Sequence, residues 1–326
     1  METKELFEAI AKLKVAIIGD VMVDSYIYGK VNRMSPEAPV PIIDVFKKEN
    51  RLGGAGNVAL NVKELGATPL LISMVGKDED GLMVCRLLND AGISDGHILR
   101  SEARKTTVKT RILGNNRQIA RVDQELVEDL DETDNRRLVQ SCGNILEGCD
   151  LLILEDYDKG VLNQSNIQKI IAQANALNIP IAVDPKFNNF SKFKNVTLFK
   201  PNLKELLAGL EDKIDNDYSI DTIVDLEKKL RARLNQQISL ITLSERGVLI
   251  RSEDQVYTAD AHSRNIADVS GAGDTVISVA GCVLAAGGTL KEVAELSNLA
   301  GGLVCEFPGV VPVNQIRLIA EAEKLA

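Results

Sequence analysis

The sequence predicts a doubly wound α/β fold, in which a mostly parallel sheet lies between two layers of helices and carries a small β-strand lid. Three observations indicate it: strand-like runs alternate with helical patterns, two polar–apolar segments interrupt them, and a glycine-rich turn precedes a late helix. The chain has 326 residues, 45% of them hydrophobic, which is enough for one large core. We therefore expect a single domain over 1–326.

The sheet is predicted from short β-branched runs. "KVAIIGD" at 14–20 is continuously apolar, which is typical of a strand buried on both faces of a parallel sheet. Similar runs lie at 69–76, 151–156, 179–185, 196–202 and 238–247. Helical patterns lie at 54–66, 80–91, 134–147, 163–177, 203–210 and 221–235, and more helix is expected after 270.

Two segments break this alternation. Residues 24–48 alternate polar and apolar side chains and contain three prolines. Residues 104–124 resemble a hairpin whose turn is "GNN" at 114–116. We expect both segments to form antiparallel strands outside the main sheet, as a lid beside its ligand-binding edge.

The amino-acid composition indicates which partners are not expected and in which compartment the protein is expected. The net charge is −9 and no basic block is present, so nucleic acid and an anionic membrane surface are not expected as partners. No signal peptide or apolar run of about 20 residues, the length needed to span a bilayer, is recognisable. The five cysteines are scattered without CxxC spacing, which predicts reduced, buried thiols and a cytoplasmic protein.

The stretch "DVSGAGDTV" at 268–276 is the strongest chemical motif. A glycine-rich turn before a helix presents unpaired backbone N–H groups, which suit a phosphate, and Asp274 would lie beside that phosphate as a general base. The alternative is structural: the glycines shape a turn and the aspartate caps the helix. The stretch fits neither a P-loop nor a dinucleotide-binding fingerprint.

Several motifs in order resemble the ribokinase-like, or PfkB, family of carbohydrate kinases over nearly the whole chain. They are "RLGGAGNVALNVKELGA" (51–67), "VGKDEDG" (75–81), "KPNLKE" (200–205), "ITLSERG" (241–247) and "DVSGAGDTV" (268–276). The resemblance implies an ATP-dependent sugar kinase that uses Mg²⁺.

Within that family the chain is most similar to the kinases of D-glycero-β-D-manno-heptose 7-phosphate, which phosphorylate the C1 hydroxyl in lipopolysaccharide precursor synthesis. The segments that carry this similarity are 19–29, 33–42, 108–113, 121–125, "EDYDKGVL" (155–162) and "DPKFNNF" (184–190). Many such relatives also contain a nucleotidyltransferase domain. Its HxGH motif is not found here, so we expect the kinase part alone, with a separate protein for the second step.

The resemblance assigns roles on the sugar side. Asp274 would be the general base, and the N–H groups of Gly271, Ala272 and Gly273 would stabilise charge on the transferred phosphate. Asp24, Gly53, Gly54 and Asn57 would bind the sugar, with Glu37 reaching it from the lid. Turn formation is the structural alternative for the glycines and Asn57.

Other residues would bind phosphates, metal and nucleotide. Lys186 and Lys159 are candidates for a phosphate, and Arg111 and Arg121 for the sugar's own phosphate, unless they are surface charges or lid ion pairs. Asn202 and Glu205 would organise hydrated Mg²⁺, or else only cap a helix. Ser244, Gly247 and Asn298 would line the adenosine side, or else serve loop and helix packing.

One segment departs from the family pattern. "CEFPGVVP" at 305–312 has Phe307 where a lysine is usual and Val310 where a threonine is usual, which leaves dependence on a monovalent cation open. Family precedent also implies a homodimer formed through the lid. The alternatives are a PfkB-family kinase for another sugar, or a sugar- or nucleotide-sensing protein without turnover.

Overall fold

The computed structural model describes residues 2–115, 117–214 and 218–324, so Asn116 of the predicted turn and parts of the expected 1–326 domain lie outside the described residues. The strands are β1 Lys14–Gly19, β2 Val21–Met34, β3 Pro41–Gly54, β4 Thr68–Gly76, β5 Ile98–Ser101, β6 Thr107–Gly114, β7 Arg117–Gln124, β8 Leu151–Glu155, β9 Ile181–Asp184, β10 Leu198–Phe199, β11 Ile238–Thr242, β12 Val248–Arg251 and β13 Val256–Ala259. The α-helices are α1 Thr3–Ile10, α2 Ala55–Glu64, α3 Glu79–Asp90, α4 Glu132–Leu146, α5 Ile167–Ala176, α6 Leu203–Leu210, α7 Ile220–Leu234, α8 Ala272–Ala285, α9 Leu290–Val304 and α10 Gln315–Ala322.

Nine strands form the main sheet, in the order β13-β12-β11-β10-β9-β8-β1-β4-β5. β1 lies between two parallel neighbours, with Ile17 opposite Leu71 of β4 and Ile153 of β8. Within the described part of this sheet, antiparallel pairing is confined to one edge, where β12 pairs with β11 and β13. The predicted doubly wound, mostly parallel sheet is confirmed.

Successive residues of β1 point to opposite faces of the sheet and enter two separate cores. Val15 and Ile17 pack in a cluster with residues of α1, α2, α8, α9 and α10. Ala16 and Ile18 pack in a second cluster with residues of α4, α5, α6 and α7. Helices therefore cover both faces, which explains the continuously apolar strand sequences.

The lid is a four-stranded sheet in the order β3-β2-β6-β7. β2–β3 and β6–β7 pair antiparallel, as expected, but the two pairs join through a parallel β2–β6 contact. The first hairpin is also longer than predicted, from Val21 to Gly54 instead of 24–48. Its extra residues at each end are mostly buried and apolar or glycine, so polar–apolar alternation could not mark them.

The site lies where these parts meet. The carboxyl ends of β1, β8 and β9 and the N-termini of α2 and α8 converge, and the lid strands start directly from this edge. Open α/β sheets bind ligands at this end. All five cysteines are free and buried, as predicted. Among the described residues, no helix has the length and apolar character needed to cross a bilayer.

Candidate active site

Asp274 lies in the first turn of α8, with only 2% of the residue exposed. Gly271 precedes the helix with φ 79°, a conformation that glycine adopts without steric cost. The Ala272 N–H donates to Val269 O at 3.3 Å, whereas no acceptor among the described residues takes the N–H of Gly271 or Gly273. The structure therefore presents free N–H groups beside a buried carboxylate, as the motif predicted.

Two donors hold the Asp274 carboxylate. Asn57 Nδ2 donates to Oδ2 at 2.8 Å, and the hydroxyl of Tyr157 donates to Oδ1 at 2.7 Å. Burial raises the pKa of Asp274, while the hydrogen bonds from Asn57 and Tyr157 oppose that rise. Asn57, expected to bind sugar, thus contacts the predicted base directly.

Two further carboxylates lie beside Asp274. Oxygens of Glu155, Asp184 and Asp274 all lie within 4.8 Å of one another, and all three residues are buried. Lys200 Nζ lies 2.9 Å from Asp184, so one of the three is paired with a buried ammonium. Both oxygens of Glu155 are buried and without a partner among the described residues, and burial raises its pKa well above the usual value.

Among the residues predicted to bind the sugar or its phosphate, Asp24 of β2 and Arg111 of β6 form an ion pair across the lid. Gly53 packs against this pair, since a Cβ there would lie 2.1 Å from Asp24 Oδ2. Gly54 begins α2 with φ 57°, and a Cβ on it would lie 2.3 Å from Asp20 O. Asp24, Gly53 and Gly54, all predicted to bind the sugar, therefore lie close together at the base of the lid.

Asp20 shapes the loop after β8. Its carboxylate accepts the backbone N–H groups of Tyr157, Lys159 and Val161 at 2.8, 3.1 and 3.1 Å. This loop carries Lys159, whose ammonium pairs with Glu125 at 2.9 Å. Lys159 therefore lies at the cleft but already has an anionic partner.

Asn202 and Glu205 form a capping box at the start of α6. Asn202 Oδ1 accepts the Glu205 N–H at 2.9 Å, and Glu205 Oε2 accepts the Asn202 N–H at 2.8 Å. Glu205 Oε1 lies 3.1 Å from Lys186 Nζ. Although burial lowers the pKa of Lys186, the charges of Asp184 and Glu205 raise it overall. These oxygen donors fit the ligand preference of hydrated Mg²⁺.

Two of the residues predicted for the adenosine side, Gly247 and Asn298, contact the end of β13 and the residues just after it. Gly247, with φ 81°, packs so closely that a Cβ would lie 1.9 Å from Ala259 O. Asn298 Nδ2 donates to Asp260 O at 2.8 Å. Ser244 is exposed in the turn that precedes Gly247. The structure brings the three together and gives Gly247 and Asn298 structural contacts there.

The departing segment 305–312 links the lid to the glycine-rich turn that precedes α8. Val310 N–H donates to the Tyr26 hydroxyl at 3.0 Å, and Arg51 Nη1 donates to Val310 O at 3.0 Å. A Cβ on Gly271 would lie 3.2 Å from Val310 Cγ1. Phe307, by contrast, is 48% exposed. Val310 therefore helps to position the turn, while Phe307 packs little.

Two predicted lid residues stand apart from the site. Arg121 of β7 is half-exposed and pairs with Asp123 at 2.9 Å. Glu37 is exposed in the loop between β2 and β3, where its N–H donates to Ser35 Oγ at 3.2 Å. The described structure brings neither side chain into contact with Asp274 or Asp24.

Besides Glu155, Asp184 and Lys200, two more residues of the candidate site were missed in the sequence. Tyr157 lies in the quoted "EDYDKGVL", but neither spacing nor charge distinguished it. Lys109 of β6 has its ammonium 5.1 Å from the Tyr157 ring centre, and no carboxylate among the described residues pairs with it. The strand period was the available signal, since residues 109 and 111 of one strand share a face.

Comparison with solved structures supports the fold. Escherichia coli phosphofructokinase-2 in complex with substrates and products superposes with a TM-score of 0.80 at 18% identity, over 95% of this chain and 99% of that one. Arabidopsis thaliana ribokinase complexed with ribose and ATP gives a TM-score of 0.73 at 15% identity, over 94% and 99%. At these identities the likeness concerns the fold alone.

Curated proteins include relatives that are more similar to this chain in sequence than these solved structures are. "Bifunctional protein HldE" of Coxiella burnetii is 40% identical over 307 residues, which are 93% of this chain and 62% of that protein. The protein of the same name from Campylobacter curvus is 37% identical over 304 residues, which are 93% of this chain and 64% of its own length. The chain thus spans just under two thirds of these relatives.

A sequence profile covers almost the same range. The profile described as "pfkB family carbohydrate kinase" matches residues 12–316, from the first strand of the sheet to the beginning of α10. The match includes the lid, the Asp274 turn and the segment 305–312. The chain belongs to the pfkB family of carbohydrate kinases.

Proposed function

We propose that this chain is an ATP-dependent kinase that phosphorylates the C1 hydroxyl of D-glycero-β-D-manno-heptose 7-phosphate. The observation that carries the kinase assignment is the buried Asp274 carboxylate beside the free N–H groups of Gly271 and Gly273. Membership of the pfkB family and similarity to bifunctional HldE proteins support the class and the sugar. Formation of the 1,7-bisphosphate places the enzyme in lipopolysaccharide precursor synthesis.

In the proposed reaction, Asp274 takes the proton from the sugar hydroxyl as that oxygen attacks the γ-phosphate of ATP. The new bond joins the sugar oxygen to phosphorus, and the bond to the β-phosphate oxygen breaks, so ADP leaves. The N–H groups of 271–273 and the dipole of α8 stabilise the charge on the transferred group. Asp274 needs no large movement, because Asn57 and Tyr157 already hold it.

Asn202 and Glu205 would hold Mg²⁺ through water. The metal supplies charge neutralisation for the ATP phosphates when it is bound. Lys186, which contacts Glu205 at 3.1 Å, would meet a phosphate as a point charge from the same edge of the cleft. Ser244, Gly247 and Asn298 would line the adenosine side.

The charges of the lid favour a sugar that carries its own phosphate. Arg111 is paired with Asp24, and Arg121 with Asp123, so neither is a free cation. Lys109 is half-buried, its pKa is lowered by burial, and no carboxylate among the described residues pairs with it. A phosphate dianion would provide that missing partner, so we assign the 7-phosphate to Lys109, with Lys159 nearby.

The lid would also form a homodimer contact. β3 is an edge strand of the lid sheet, and edge strands present unpaired backbone groups. Val45 and Phe46 of β3 are 48% and 66% exposed, and further apolar residues of the lid are also exposed. Pairing with a second lid would cover both features. Location in the cytoplasm stays a prediction.

Coupled ADP release tests the function. Purified protein with Mg-ATP is given D-glycero-D-manno-heptose 7-phosphate, the same heptose without phosphate, and other sugars and sugar phosphates. We expect strong turnover on the heptose 7-phosphate alone. Lys109→Met should raise KM for that substrate roughly 10-fold or more, since an ion pair to a phosphate is lost, and leave KM for ATP unchanged. Lys105→Met, a lysine that precedes β6, is the matched control.

Each other outcome has a definite meaning. Turnover on a different sugar would retain the kinase and reject the heptose. No turnover on any sugar, with ATP binding intact, would support the sensing alternative. An unchanged KM in Lys109→Met would remove that lysine from the phosphate site.

A further inference from the structure

Tyr157 is held from three sides at the end of β8. Its backbone N–H donates to Asp20 Oδ2 at 2.8 Å, and its hydroxyl donates to Asp274 Oδ1 at 2.7 Å. The ammonium groups of Lys109 and Lys186 lie 5.1 and 5.0 Å from its ring centre, within the range of cation–π attraction. The main chain and ring are thus fixed independently of the bond to Asp274.

No cation among the described residues forms an ion pair with Asp274. Asn57 from α2 and Tyr157 from the loop after β8 are its two hydrogen-bond donors. The charged or titratable groups around it are Glu155 at the end of β8, Asp184 at the end of β9, Lys186 just beyond β9 and Lys200 beside Asp184. Lys200 is already paired with Asp184 and Lys186 with Glu205. The nearest groups that favour an ionised Asp274 are therefore the two donors.

We propose that Tyr157 is a positioning residue for the general base, whose hydroxyl fixes the Asp274 carboxylate in place for proton abstraction. The proposal rests on the proposed role of Asp274 as that base. A carboxylate oxygen accepts more than one hydrogen bond, so Oδ1 can receive the sugar hydroxyl while Tyr157 stays bonded. Two donors on different oxygens also prevent the carboxylate from rotating away.

Tyr157 is suited to this role over a wide pH range. Burial, followed by the charge of Asp274, raises the pKa of its phenol well above the usual value. The phenol therefore stays protonated and remains a donor wherever Asp274 is ionised. If Tyr157 were only structural, its ring contacts would be sufficient and its hydroxyl would not be needed.

The test is Tyr157→Phe, which keeps the ring between the two lysines and removes only the hydroxyl. The Tyr157 bond lowers the pKa of Asp274, so its loss should move the acidic limb of the kcat/KM profile to higher pH. We expect kcat at neutral pH to fall roughly 10- to 100-fold, as for loss of a hydrogen bond to a charged group, with KM little changed. Thermal unfolding checks that the variant folds.

Tyr28→Phe is the matched control. Its ring stacks on Tyr26 in the lid at 6.2 Å, and its hydroxyl has no hydrogen-bond partner among the described residues. This variant should keep the wild-type pH profile. An acidic limb that does not move in Tyr157→Phe, or a loss confined to KM, would overturn the proposal.

A second measurement needs no turnover. Carboxyl ¹³C NMR of protein labelled in aspartate follows the titration of Asp274, and its signal is assigned by its loss in Asp274→Asn. We expect Asp274 to titrate at higher pH in Tyr157→Phe than in the wild type, and an unchanged titration would reject the proposal. If no sugar is phosphorylated but the titration moves, the proposed function fails while the Tyr157 contact stands.

Discussion

Substitution of Gly53 by alanine tests the sugar side of the site. The new Cβ would lie 2.1 Å from Asp24 Oδ2 and 2.9 Å from Met22 Cγ. Methionine can move, because its side chain is flexible. Asp24 can escape the clash only by turning away from Arg111, its partner in a largely buried ion pair. The φ of Gly53 lies outside the left-handed region, so backbone strain adds little.

The expected magnitude follows from this pair. Complete loss of one partner of a buried ion pair costs about 3–5 kcal/mol, and because a turned Asp24 keeps part of the attraction we expect about 2 kcal/mol of lost stability. Asp24 is also the proposed acceptor for sugar hydroxyls. We therefore expect kcat/KM for the sugar to fall roughly 10- to 100-fold, with KM for ATP unchanged.

Urea unfolding and steady-state kinetics measure the two effects. Gly96→Ala is the control, since its Cβ would meet only Ser94 Oγ, at 3.2 Å. Wild-type sugar kinetics in a destabilised Gly53→Ala protein would refute the role of Asp24 in sugar binding. Unchanged stability would refute the steric reasoning itself.

Three further predictions concern burial, charge and assembly. Burial raises the pKa of Glu155 above its usual value of 4.5. At pH values above 4.5, folded Glu155 therefore keeps a proton that the unfolded chain has lost, and the wild type loses stability as pH rises towards the raised pKa. Glu155→Gln has no such loss, so its stability relative to the wild type should rise as pH increases above 4.5, by about 1.4 kcal/mol per unit of pKa displacement, measured by urea unfolding. A constant difference would contradict this. Lys200→Met leaves Asp184 without its ammonium and should cost about 3–5 kcal/mol in the same assay, whereas a near-neutral change would show that this buried ion pair adds little to stability. Phe46→Glu on the lid edge should convert a dimer to monomers in light scattering, and a dimer that persists would exclude this edge from the interface.

The sequence was sufficient to predict the main sheet. Its strands are buried on both faces, so each appears as a continuous apolar run, and every strand and helix run predicted between 14 and 247 lies on an observed element. The lid was predicted less completely. β2 continues from the core strand after a single residue, Asp20, so no turn residues mark where the lid begins.

Site prediction depended on motifs and failed where partners are distant in sequence. Asp274 and the glycines lie in one short stretch, and the structure arranges them as expected. Asn57 reaches Asp274 across 217 residues, and Tyr157 reaches it across 117, so no local spacing reveals those contacts. Arg111 was a candidate for the sugar's own phosphate, with a lid ion pair as the alternative. Its pairing with Asp24 depends on the parallel β2–β6 contact, which no pattern predicted.

The most direct test of the central claim is the kcat of Asp274→Asn beside the wild type, by ADP release with Mg-ATP and D-glycero-D-manno-heptose 7-phosphate. Asparagine keeps the size of the side chain but cannot accept the proton. The proposed mechanism predicts a fall in kcat of roughly 10²- to 10⁴-fold, with KM values nearly unchanged and the fold intact. Turnover within a few-fold of the wild type would show that another group takes the proton, and would contradict the assignment of Asp274 as the base.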